Sequence, residues 1–121
     1  MPKGRRAEAH VRLYRHELES PAYRSLGPAS RALLVEFRAL FDGGSNRIHM
    51  SIREAMSRLG VGRKLAEQAL AELLDRGFIC IIEKGGFNRK TRHATVYALT
   101  NEPLDNRDGA TATKDFMRWR A

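Results

Sequence analysis

Between Ser51 and Gly77 two apolar stripes at helical spacing are separated by only the three residues GVG, and this constrains the fold more than any other feature. In SIREAMSRLG, Ile52, Ala55, Met56 and Leu59 recur at three- and four-residue steps. In RKLAEQALAELLDRG, Ala66, Ala69, Leu70, Leu73 and Leu74 do the same. Two helices joined by so short a turn must pack on each other, and Ala55 is small enough to let them cross closely. Ser51 followed by Glu54 forms a capping box: the serine accepts from a first-turn amide and the glutamate reaches back to the helix start. A helix over 52–59 is therefore predicted, stopped by Gly60. Gly62 is an acceptable N-cap for the second helix, and Gly77 is its natural C-terminal stop.

The flanks extend the pattern. Upstream, Pro28 opens PASRALLVEFRALF, where Leu33, Leu34, Phe37, Leu40 and Phe41 form one broad face and Arg31 and Arg38 lie off it. DGGSN ends that helix with turn residues, and Arg47 to Met50 fits one short strand. Downstream, FICIIEK and ATVYALT read as strands, the second with Thr95, Tyr97 and Leu99 alternating against Val96 and Ala98. Between them KGGFNRKTRHA, residues 84–94, has no acidic residue and makes the tip of a β-hairpin. At the N-terminus, residues 1–8 read as a basic arm or a plain solvated end. Val11, Tyr14 and Leu18 predict a helix over 9–18, and Ser20 with Pro21 starts a turn carrying Tyr23 and Leu26. Residues 101–115 are linker-like. Phe116, Met117 and Trp119 then sit at helical spacing, fitted either to close over the chain's own core or to anchor a protein partner.

With 121 residues, one core is expected. No apolar run approaches the roughly 18 to 20 residues that cross a bilayer, and the basic N-terminus lacks the apolar segment of a secretory signal, so no membrane role is expected. The single cysteine, Cys80, cannot form an internal disulfide and in FICII reads as a small buried hydrophobe, which fits a reducing cytoplasm. Twenty-two basic against 14 acidic residues give a net charge of +8, which draws the chain to polyanions. Catalysis finds no foothold. KGGFNRKT fails the spacing of a phosphate-binding loop, and Glu17 and Glu19 read as exposed helix-end charges. His10, His16, His49 and His93 fall in unrelated segments, so neither a metal site, a catalytic residue nor a cofactor is expected.

The order helix, short strand, short helix, three-residue turn, longer helix, strand, basic loop, strand resembles the winged helix-turn-helix superfamily of DNA-binding proteins, of bacterial or mobile-element type. The resemblance covers about residues 28–100 and is carried by SIREAMSRLGVGRKLAEQALAELLDRGFI with the basic hairpin behind it. It implies a mostly helical α+β fold with a C-terminal two-stranded β-hairpin wing. Residues 1–27 would be a basic arm and helical extension, and 101–121 a linker and apolar tail. The helix 63–76 would enter the major groove, with Arg63, Lys64, Glu67, Gln68 and Ala71 facing the bases. Arginine and lysine donate to guanine, glutamine pairs with adenine, and glutamate accepts from cytosine. Ser51, Arg53 and Gly62 would meet the backbone, and Arg89, Lys90, Arg92 and His93 would be the wing contacts, with Arg47 and Arg58 as weaker candidates. Members often carry Ser or Thr where this chain has Gly62, so a hydroxyl contact to phosphate is missing there. The implied function is sequence-specific binding of double-stranded DNA as a transcriptional regulator in the cytoplasm, at the nucleoid. Two alternatives stand beside it: a replication or maintenance protein of a phage or plasmid, and a winged helix that binds protein. Regulators of this kind commonly dimerise, and the segment Val11 to Leu26 fits either a homodimer element or an extension of the core.

Overall fold

The computed structural model describes residues 8–87, 92–104 and 111–121. Their order is α1 (Arg15–Leu18), α2 (Pro21–Ser25), α3 (Pro28–Leu40), β1 (Ile48–Met50), α4 (Ile52–Leu59), α5 (Arg63–Asp75), β2 (Ile79–Glu83), β3 (Gly86–Phe87), β4 (Arg92–His93), β5 (Thr95–Leu99) and a 3-10 turn (Asp115–Arg118). The architecture is α+β. Helices α3, α4 and α5 pack on one another, α5 packs on β2 of a small antiparallel sheet ordered β1-β5-β2, and β3 pairs with β4. Among the described residues, no helix is long and apolar enough to cross a membrane.

The two strands expected to form the hairpin pair as β2 and β5, and β1 adds a third strand to them. β5 is the central strand of the sheet, with Ile48 opposite Tyr97 and Met50 opposite Thr95 on one side, and Ile79 opposite Leu99 and Ile81 opposite Tyr97 on the other. Central placement also removes the expected alternation, since Val96 through Leu99 are all buried. The apolar run of β2 is exposed at Ile81 and Ile82, because β2 is an edge strand whose register breaks between Ile81 and Glu83. Cys80 on that edge is half-buried rather than buried; desolvation first, then the nearby Asp115 carboxylate, raises its thiol pKa.

The helix expected over 9–18 shrinks to Arg15–Leu18. Val11 and Tyr14 are exposed, so no packing holds the earlier turns, and Glu17 Oε1 accepts from the Tyr14 amide at 2.8 Å, which fixes the start. Glu17 is not the exposed helix-end charge expected: it is 1% exposed and binds Arg38 through both carboxylate oxygens, one contact measuring 2.7 Å. Burial by itself raises the Glu17 pKa, but the bonds from Arg38 and the Tyr14 amide and the Arg38 charge outweigh it, leaving the group below its ordinary value. Arg38 also donates to the Arg12 carbonyl at 3.2 Å, so α3 holds the N-terminal segment in place.

Two further polar side chains bind distant segments. Gly27 starts α3 without a side-chain cap, and the carboxylate of Glu72 from α5 supplies one, accepting from the Gly27 amide at 3.0 Å and the Ser30 hydroxyl at 2.7 Å. Those two bonds, with the Arg76 charge behind them, lower the Glu72 pKa against a smaller desolvation effect. Asn46, a turn former in sequence, is buried and imitates a strand residue. Its amide donates to the Leu99 carbonyl at 2.9 Å and to those of Glu102 and Pro103, while its oxygen accepts from the Leu99 amide at 2.9 Å.

The core runs from α2 through α3, α4 and α5 to the sheet and the C-terminal turn. Phe37 meets Tyr97 edge-on at 5.4 Å, and Phe116 stacks on Phe78 at 4.8 Å. Phe116 is completely buried, so of the two roles open to the C-terminal aromatic cluster it takes the intramolecular one; Met117 points outward. Gly77 makes this docking sterically feasible. Its φ of +84° suits glycine, and a Cβ there would lie 2.9 Å from Asp115 and from the Phe116 amide nitrogen.

Candidate nucleic-acid interface

The candidate interface begins at the cap of α4. Ser51 Oγ accepts from the Glu54 amide at 3.0 Å, which is one half of the expected capping box. The other half is replaced: the Glu54 carboxylate turns to Arg58 at 2.9 Å. Arg58 also reaches Glu36 of α3 at 3.1 Å, and these two bonds raise its pKa. Arg58 is thereby an intramolecular brace between α3 and α4. Arg53 is exposed and engages no partner among the described residues.

Gly60 ends α4 with φ +68°, its amide and that of Val61 both bonding the Met56 carbonyl. Gly62 then caps α5 in extended conformation, with open space where a side chain would stand. The first amides of this 13-residue helix thus lack a side-chain cap.

Ala66, Ala69, Leu70 and Leu73 bury one face of α5 against α3 and α4. Helical geometry puts Lys64, Gln68, Ala71 and Asp75 on the opposite face, and all four are exposed. Lys64 and Gln68 engage no partner among the described residues. Arg63 and Glu67, at the edge of this face, bind each other at 3.1 Å. The structure therefore splits the four expected base-facing residues into a free pair and a mutually paired one. Leu65, 43% exposed beside Lys64, escaped the sequence reading. Its signal was its position outside the apolar stripe, where a leucine has no core to enter.

The basic loop is only partly described. Gly86 pairs with His93 and Phe87 with Arg92, so β3 and β4 carry the hairpin beyond the sheet. The backbones of Arg92 and His93 lie in β4; their side chains, and Arg89 and Lys90 altogether, lie outside the described residues. At the base of the loop the Gly85 amide donates to Thr95 Oγ1 at 3.0 Å, and Arg47 pairs across β5 with Glu83 at 3.5 Å. Among the described residues no group of three or more His, Cys, Asp or Glu side chains is arranged to hold a metal ion. Comparison with protein-family models, with curated proteins and with solved structures finds no match to the chain.

Proposed function

We propose that the chain is a winged helix-turn-helix protein that binds double-stranded DNA sequence-specifically and acts as a transcriptional regulator. The observation that carries this is the outward face of α5, where Lys64 and Gln68 stand free while the nearby carboxylates of Glu67 and Glu54 are engaged by Arg63 and Arg58. Lysine donates to guanine and glutamine makes a paired contact with adenine, so the free pair suits base readout. Ala71 keeps the centre of the face low enough for close approach. Around this face, the uncapped amides of α5, Arg53 and the basic 84–94 hairpin with Arg89, Lys90, Arg92 and His93 supply backbone contacts that carry no sequence information. Arg63 joins the readers only by leaving Glu67, an exchange an anionic groove favours.

Selection from random duplex DNA at fixed salt tests the reading. An enriched motif is expected, and Gln68→Ala should relax one position of it by about 1 to 3 kcal/mol. Absence of enrichment together with salt-independent binding would refute it.

A further inference from the structure

Beside α5, α2 and the start of α3 gather three guanidinium groups. Arg31 lies 4.8 Å over the ring of Tyr23 and donates to the Arg24 carbonyl at 3.1 Å. Arg76 lies 4.9 Å over the ring of Trp119 and donates to the Ser25 hydroxyl at 2.9 Å. The two cations thus end on adjacent residues of α2, and the guanidinium of Arg24 itself is exposed without a partner among the described residues. Among the described residues, carboxylates offset Arg76 and not the other two. Asp75 pairs with Arg76 at 2.8 Å, and Glu72, bonded to Gly27 and Ser30, interacts with its charge.

Arg31 is held by a carbonyl and a ring face, both neutral, and Arg24 has no partner among the described residues, so the carboxylates at Arg76 leave the three cations with a net positive charge. Such a cluster is poised for an external anion. Its position selects which one. Arg76 follows Gln68 by eight residues, about 12 Å along a helix, which puts the cluster beyond the reading face. Glu72, between them, fastens α5 to Gly27 at the junction of α2 and α3, so the cluster cannot drift from the reading face.

We infer that Arg24, Arg31 and Arg76 form a second backbone clamp that grips phosphates of duplex DNA flanking the segment read by α5. The clamp rests on the DNA-binding reading above. It is sequence-independent, because guanidinium contacts to phosphate fix position without reporting bases. The aromatic rings beneath Arg31 and Arg76 hold both groups in place before DNA arrives.

The test uses the full chain and labelled duplexes, one selected and one random, titrated between about 50 and 200 mM salt. Arg24→Gln with Arg31→Gln should weaken binding to both duplexes equally and lower the salt slope by about 0.9 per lost phosphate contact. Arg24→Lys with Arg31→Lys should restore the slope. Arg24→Gln alone removes a side chain without a partner, so it serves if the double variant loses fold, and a drop of about 0.9 is expected from it. Unchanged affinity and slope in a folded variant, with wild type binding normally, would overturn the clamp and leave the DNA reading standing. Failure of the wild type to bind any duplex would overturn both.

Discussion

Replacing Gly77 by alanine should do far more damage than the same change at Gly60, although both glycines have left-handed backbones. At Gly60, φ is +68° and nothing lies within 4 Å of an added Cβ, so the cost is the conformational penalty alone, about 1 to 2 kcal/mol. At Gly77, φ is +84° and the Cβ would meet Asp115 and the Phe116 nitrogen at 2.9 Å. These include backbone atoms that cannot swing aside, so the C-terminal turn must lift and draw Phe116 from its stack on Phe78. Exposing a buried phenylalanine costs about 1.5 to 3 kcal/mol, which brings Gly77→Ala to about 2.5 to 5 kcal/mol in total. Urea unfolding followed by circular dichroism measures both variants. The fluorescence of Trp119, the single tryptophan, reports separately on the tail through its contact with Arg76. Phe116→Ala should cost markedly less in the Gly77→Ala background than in wild type, because the ring has already left its site. Equal losses for the two glycine variants, with unchanged Trp119 emission, would refute the close-approach argument.

Two other perturbations follow from the buried polar groups. Arg38→Met leaves Glu17 buried without its partner and should cost about 3 to 5 kcal/mol, whereas adding Glu17→Leu should recover most of that, short of the lost contact to the Tyr14 amide. Because Glu17 and Glu72 titrate below their ordinary 4.5, their stabilisation is complete above that value and lost as pH falls through the folded-state pKa. Acid titration of Glu17→Gln and Glu72→Gln should therefore show less acid sensitivity than wild type. Asn46→Ala strips the Leu99 amide and carbonyl of a partner and should cost about 2 to 4 kcal/mol with faster exchange of the Leu99 amide; wild-type exchange there would count against the bridge.

Periodicity and turn chemistry made most elements legible. α4 spans the predicted 52–59, α5 starts directly after Gly62, and α3 opens at Pro28, because caps, glycines and three-to-four spacing act within a few residues of one another. The outward face of α5 was legible for the same reason: burying Ala66, Ala69, Leu70 and Leu73 leaves Lys64 and Gln68 no other direction. The pairing of Arg63 with Glu67 was also within reach, since a four-residue interval brings oppositely charged side chains together on a helix.

The sequence by itself thus determined local conformation, the apolar faces and a net charge that favours anionic partners. Only the tertiary structure decided which charges remain available to such a partner. Arg38, Arg58 and Arg31 are alike in sequence, each an arginine off an apolar stripe. In the fold one is buried against Glu17, one braces Glu36 to Glu54, and one rests on Tyr23 beside Arg24. Glu72 and Asn46 likewise declare their roles only through residues 45 and 53 positions away. Helix caps and stripes are set by neighbours along the chain. A charge or amide takes its role from whatever packing brings within about 3 Å, and that distance is a property of the assembled fold.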